Sequence, residues 1–160
     1  MNKAIFLDRD GVIIYAPVSK DKKPKSIKNF SGVKILPHVL KVCQILRKQY
    51  LLFMITNQPE VARKNNTKKN VEKINSYLKK KLRLKDVYVC YSNSEKNKFR
   101  KPNPGMIISA AKKYNIDLKK SYMIGDRWRD VDAGYNASCK TIFIDRSYSE
   151  KLKKKTKFQN

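Results

Sequence analysis

Two aspartates stand one residue apart in Asp8-Arg9-Asp10-Gly11, directly after the apolar run Ala4-Ile5-Phe6-Leu7. Carboxylates so spaced in an extended or turning segment point differently, so one can meet an electrophile in line while the other reaches the leaving group. Phosphoryl transfer needs that division of labour. A further carboxylate, Asp126, follows the run Tyr122-Met123-Ile124 and would complete an oxygen site for Mg²⁺, a hard cation that takes few carboxylates and several waters. Thr56, after the run Leu51-Leu52-Phe53-Met54-Ile55, offers a hydroxyl donor, and Lys101 an ammonium counter-charge, for the equatorial phosphoryl oxygens. Gly11 lets the backbone approach a phosphate closely.

These groups must be carried to one place. Five apolar runs of strand length, the three above with Val87-Tyr88-Val89-Cys90 and Thr141-Ile142-Phe143-Ile144, alternate with helical stripes. The stripes are Leu36, Val39, Leu40, Val42, Cys43, Leu46; then Val71, Ile74, Tyr77, Leu78, Leu82; then Met106, Ile107, Ala110, Ala111, Tyr114. Continuous apolar runs suit strands buried on both faces, and the alternation predicts a three-layer, Rossmann-like parallel α/β sheet of about five strands without a large cap domain. Ligands bind outside the carboxyl ends of strands in such sheets, so the polar clusters should converge on one crevice. Pro104 suits the first turn of the third helix, which places Arg100 and Lys101 on the approach to that crevice. Residues 15–35 read as a loop or small hairpin placed to overhang the site. Residues 1–146 are expected to form the domain, and 147–160 a basic tail, frayed or in one loose helix.

Asp8-Arg9-Asp10-Gly11-Val12-Ile13, Thr56-Asn57-Gln58, Arg100-Lys101-Pro102-Asn103-Pro104-Gly105-Met106 and Gly125-Asp126-Arg127 resemble the motifs of haloacid dehalogenase-superfamily phosphatases. They are most similar to the small capless branch containing heptose-bisphosphate and histidinol phosphatases. The resemblance implies Asp8 as nucleophile forming an aspartyl-phosphate, and Asp10 as the acid, then base, of the two half-reactions. It implies that Thr56 and Lys101 hold the phosphoryl group, with Gly11, Asn57, Arg100 and Arg127 near substrate. Asp8, the backbone carbonyl of Asp10, and Asp126 would bind Mg²⁺. The implied substrate is a small sugar phosphate such as D-glycero-D-manno-heptose 1,7-bisphosphate; histidinol phosphate, a nucleic-acid 3′ end, and a non-catalytic phosphate-binding role are the alternatives.

That branch usually carries a zinc loop, Cys-x-His followed by Cys-x-Cys, before the Arg-Lys-Pro motif. Here Cys90 is followed by Ser92 in the His position, and no cysteine lies between Tyr91 and Arg100. One thiolate cannot build a tetrahedral site, so no zinc and a shortened, self-supporting loop are expected, with Cys90 a buried strand residue. The turn after Gln58 reads Pro59-Glu60-Val61-Ala62-Arg63-Lys64, without the glycines of its relatives, and residues 20–28 are Lys-rich. His38, after Pro37, reads as a capping or surface residue. Asp130 and Asp132 begin a helix, and Asp130 is placed to orient the metal shell or hold Lys101.

The 160 residues carry 38 Lys+Arg against 13 Asp+Glu, a formal charge of +25. That field attracts polyanions, yet 30 of the basic residues are Lys and no RNA- or DNA-binding signature surrounds their runs, so they read as solvated surface. A nucleic-acid partner is open but not favoured; the expected partner is a small phosphorylated metabolite. Three cysteines without paired spacing suit a reducing compartment, and no apolar run reaches membrane-spanning length. A cytoplasmic monomer is the expectation.

Overall fold

The computed structural model describes residues 1–150 and Leu152. Five strands, β1 (Ala4–Leu7), β2 (Leu51–Asn57), β3 (Asp86–Cys90), β4 (Tyr122–Gly125) and β5 (Lys140–Phe143), form one parallel sheet in the order β3-β2-β1-β4-β5. The chain winds outward from β1 to β3, then crosses back to β4 on the other side of β1. This reversal opens a crevice beyond the carboxyl ends of β1 and β4. No large cap interrupts the elements, and no helix among the described residues is long and apolar enough to cross a membrane.

Side-chain alternation divides the core between the two faces of the sheet. Ala4, Phe6, Phe53 and Ile55 point to one face and pack with Met106, Ile107 and Ala110 of α3 (Gly105–Tyr114) and Ala133 of α4 (Trp128–Asn136). Ile5, Leu7, Leu52 and Met54 point to the other, against Cys43 of α1 (Val39–Leu46) and Ile74, Leu78 and Leu82 of α2 (Lys68–Leu82). Only β1 and the middle of β2 are buried on both faces; β4 buries Met123 and Gly125 and leaves Tyr122 and Ile124 half-buried. β3 and β5 are edges, and β5 alternates exposed with half-buried positions, so the expectation of two-sided burial fails for these two runs.

The first stripe is also corrected. Leu40, Val42 and Ile45 of α1 are 45%, 46% and 55% exposed, because this short helix is apolar around most of its circumference and the sheet can cover one side only. Tyr77 is partly exposed and meets Phe30 edge-on. His38 is exposed, with φ 64°, and caps nothing through its side chain.

Residues 15–35 hold a single bridge between Val18 and Pro24, another from Ile14 to Ile35, and a 3₁₀ turn over Phe30–Gly32 capped by Asn29. Of the expected tail, residues 147–150 are described, and they lie against the site. The rest of that segment, apart from Leu152, falls outside the described residues.

Candidate active site

β1 delivers Asp8 to the crevice, its backbone N–H bonded to the Ile124 carbonyl of β4 at 3.0 Å. The chain then turns sharply: the N–H groups of Ile13 and Ile14 both reach the Arg9 carbonyl, and that of Gly11 reaches the Ile14 carbonyl. β2 ends with Thr56 and Asn57, and β4 with Gly125 before Asp126. The crevice they enclose has a volume of about 870 Å³. Asp8, Asp10, Thr56, Asn57, Arg100, Lys101 and Arg127, drawn from four separate stretches of sequence, all line it.

Lys101 is the electrostatic centre. It is 3% exposed, and its ammonium lies 2.6 Å from Asp8 Oδ1, 2.6 Å from Asp130 Oδ1 and 3.1 Å from the Ile55 carbonyl. Burial alone would lower its pKa, but the carboxylates of Asp130 and Asp8 more than offset that and hold it charged. Asn57 fixes the lysine from behind, its amide donating to the Lys101 carbonyl at 3.0 Å and accepting from the Lys101 N–H at 3.1 Å. Asn57 therefore holds the backbone that presents the ammonium.

Asp130 was expected either to serve the metal shell or to hold Lys101, and it contacts Lys101 directly. Its other oxygen accepts the Arg127 N–H at 3.0 Å, so both oxygens are committed. Oxygens of Asp8, Asp126 and Asp130 lie within 4.8 Å of one another. Asp10 does not join this cluster: its carboxylate turns to Arg9 and to the Gln58 amide, which leaves only its backbone carbonyl as a ligand.

Whether a divalent cation fits is answered by Asp126. The residue is 2% exposed, and neither carboxylate oxygen has a hydrogen bond of ordinary geometry. The Tyr148 hydroxyl nearby favours its charged form without holding it. Burial and the Asp130 charge push the Asp126 carboxyl up to about 7, and burial, with Asp130 and Asp126 beside it, pushes Asp8 up despite Lys101. Buried oxygens lacking donors, beside other carboxylates, are what a hard cation would relieve. The residues present fit Mg²⁺, with Asp8 and Asp126 as the side chains able to hold it.

Gly11 serves Asp126 more directly than substrate. Its φ is +86°, and a Cβ there would lie 1.8 Å from Asp126 Oδ2 and 2.9 Å from the Tyr148 hydroxyl. The Asp126 carboxylate is thus one group that the missing side chain of Gly11 lets approach.

The cations of the rim are largely spoken for. Arg63 pairs with Glu60 at 2.6 Å, Arg129 with Glu95 at 2.5 Å, and Arg100 with Glu95 at 3.4 Å while also bonding the Ser92 carbonyl. Arg127 is gripped by Glu150 through two contacts, one of them Nε to Oε2 at 2.9 Å. Lys23, Lys25 and Lys28 line the wall formed by the loop after β1 and make no ion pair among the described residues. Trp128 stacks under the Arg129 guanidinium at 4.5 Å and does not line the crevice.

The loop from Tyr91 to Arg100 is held by its own polar groups. Asn97 Oδ1 accepts the Phe99 N–H at 2.9 Å, and the Asn103 amide donates to the carbonyls of Glu95 and Asn97. Cys90 is buried at the end of β3, and all three thiols are free and buried.

Sequence reasoning did not single out Arg9, Gln58, Asn75, Tyr148 or Glu150. Gln58 donates to both Asp10 Oδ2 and Thr56 Oγ1 at 2.9 Å, and Arg9 lies wholly buried beneath. One signal was available: Asn75 is the single polar residue on the buried face of α2.

Residues 98–158 match the family model described as HAD-hydrolase-like. The chain is 40% identical over 151 residues to the D-glycero-beta-D-manno-heptose-1,7-bisphosphate 7-phosphatase of Helicobacter pylori, covering 89% of this chain and 83% of that one. It is 32% identical over 148 residues to the D-glycero-alpha-D-manno-heptose-1,7-bisphosphate 7-phosphatase of Campylobacter jejuni, covering 89% and 81%. The crystal structure of D,D-heptose 1,7-bisphosphate phosphatase from B. bronchiseptica, complexed with magnesium and phosphate, matches with a TM-score of 0.74 at 25% identity, over 87% of this chain and 78% of that one.

Proposed function

Since the chain belongs to the haloacid dehalogenase-like hydrolases, and among them to the phosphoric monoester phosphatases, we propose that it removes the 7-phosphate of D-glycero-D-manno-heptose 1,7-bisphosphate in a Mg²⁺-dependent reaction. The observation that carries the reading is the Lys101 ammonium set between Asp8 and Asp130, with both oxygens of Asp126 free beside it. The three buried thiols suit a reducing cytoplasm.

In this reading Asp8 attacks phosphorus in line, forming an acyl phosphate as the bond to the sugar oxygen breaks. Asp10 delivers a proton to that oxygen, so the sugar leaves as an alcohol. Asp10 then takes a proton from water, which attacks phosphorus, releases inorganic phosphate and restores the Asp8 carboxylate. Lys101 and the Thr56 hydroxyl donate to the equatorial oxygens, where charge stabilisation acts without reorganisation. Mg²⁺ held by Asp8 and Asp126 would supply positive charge that favours the ionised Asp8 and offsets the charge of the phosphoryl oxygens. Lys23, Lys25 and Lys28 face the second phosphate.

The test is phosphate release from both anomers of the heptose bisphosphate, other sugar phosphates, histidinol phosphate and 3′-phosphorylated oligonucleotides, with and without Mg²⁺. One heptose anomer is expected to lead, and Asp8→Asn to be silent. Preference for the oligonucleotide would move the substrate to nucleic acid, and turnover by Asp8→Asn would remove the nucleophile assignment.

A further inference from the structure

Among the described residues, Arg9 is the largest side chain with no solvent exposure. A guanidinium cannot shed its charge, so its burial is tolerated only where anions and acceptors meet its donors. Three donor contacts go to one neighbour: Nε lies 3.2 and 3.3 Å from the two oxygens of Asp10, and Nη2 lies 3.0 Å from Oδ2. On its far side Nη1 donates to Asn75 Oδ1 at 3.0 Å.

Asn75 sits on α2 among the buried Val71, Ile74 and Leu78, a face otherwise made of apolar side chains. Its amide nitrogen has no partner. The side chain is thus held in an apolar face for a single contact, the one to Arg9.

Asp10 is gripped from the other side by Gln58 at 2.9 Å, and Gln58 also bonds Thr56. The line Asn75, Arg9, Asp10, Gln58, Thr56 runs from α2 beneath β1 to the end of β2. Asp10 and Thr56 are the members that line the crevice, the Asp10 side chain 20% exposed, while Arg9 at 0% cannot touch substrate.

We propose that Arg9, anchored by Asn75, is the positioning residue that holds the Asp10 carboxyl in line with the departing oxygen. The fork geometry of a guanidinium fixes a carboxylate in both position and plane, which a single donor does not. Proton delivery in the transition state demands that placement, since the acid must lie within hydrogen-bond reach of the oxygen it protonates. This inference rests on the reading of Asp10 as general acid.

The test uses aryl phosphates, so it is independent of the heptose assignment. Phenyl phosphate has a leaving group that needs protonation, whereas p-nitrophenyl phosphate has one that departs as the anion. The ratio kcat/KM reports the chain of steps through departure and excludes later hydrolysis. Arg9→Met and Asn75→Leu are expected to lower kcat/KM for phenyl phosphate by about 10- to 100-fold, and for p-nitrophenyl phosphate by less than about threefold. Arg9→Lys, which keeps the charge and loses the fork, should recover only part of the difference. Asn75→Leu removes one acceptor of Arg9 but also the unpaired Asn75 amide, so it is the milder change, and a thermal melt of each variant confirms which is folded before its kinetics are read. Equal losses on both substrates, or none, would show that Arg9 is merely structural. Asp10→Asn in the same assay separates the two ideas. If it shows no leaving-group dependence, the acid role of Asp10 falls and takes this proposal with it; if it does while the Arg9 and Asn75 variants do not, only the positioning proposal falls.

Discussion

Gly11 and Asp126 occupy one space: a methyl group on Gly11 would lie 1.8 Å from Asp126 Oδ2. The glycine after the paired aspartates therefore makes room for a carboxylate that arrives from another strand 115 positions later in the sequence (126 − 11).

Gly11→Ala should consequently damage Asp126 placement as well as the turn. The positive φ alone costs about 1–3 kcal/mol, and displacing the carboxylate proposed to hold the cation should lower kcat/KM by about 100-fold. Phosphate release and thermal melting measure the two effects separately. Unchanged activity would mean that Asp126 is not needed where it stands.

Asp130 is predicted to act through Lys101. Asp130→Asn leaves the ammonium with Asp8 alone, and about a 100-fold loss of kcat with a folded protein is the expected result. Lys101→Met should be worse for the fold, about 3–5 kcal/mol, because it strands buried carboxylates. Chemical denaturation of both variants gives the comparison.

Metal and pH are linked through Asp126. Its carboxyl, pushed up to about 7 by burial, compares with about 4 in an unfolded chain, so the native state favours the protonated form. The metal-free protein should be most stable below about pH 4 as far as this group is concerned, and lose that contribution as pH rises through 7. Mg²⁺ binds the ionised form, so it should raise the melting temperature more at pH 8 than at pH 6. A larger Mg²⁺ effect at pH 6 would contradict the assignment.

Asp86 gives the opposite slope. Burial pushes its carboxyl up, but Tyr114 at 2.7 Å, Lys113 and Lys79 each at 3.0 Å, and the Val87 N–H outweigh burial and hold it well below the usual range. Its contribution is present above about pH 4 and lost as pH falls further. Asp86→Asn should cost about 1–3 kcal/mol at pH 7 and flatten the acid side of the stability curve, both read by denaturant titration.

Glu150 neutralises Arg127 at the rim, which an anionic substrate must contend with. Glu150→Gln frees the guanidinium, and KM for the heptose bisphosphate should fall about two- to fivefold with kcat little changed. A rise in KM would indicate that Glu150 instead holds Arg127 in its working position.

The chemistry was legible in the sequence because motifs at strand ends need only local geometry. Asp8, Asp10, Thr56 and Asp126 follow apolar runs and Lys101 precedes a helix start, and a parallel sheet carries the ends of its strands to one crevice whatever lies between. Five strands and three helical stripes could be located from their apolar patterning. Which strands would be edges could not, since β3 and β5 differ from β1 in neighbours and not in apolarity. The α1 stripe misled because a helix apolar on several sides does not reveal which side the sheet will cover. Only the tertiary structure set Asp130 against Lys101, turned the Asp10 carboxylate to Arg9 and Gln58, and brought residues 146–150 back to Gly11 and Arg127. Apart from that of Arg9 with its neighbour Asp10, those contacts join residues far apart in sequence through single hydrogen bonds and ion pairs, and no periodicity records such a meeting.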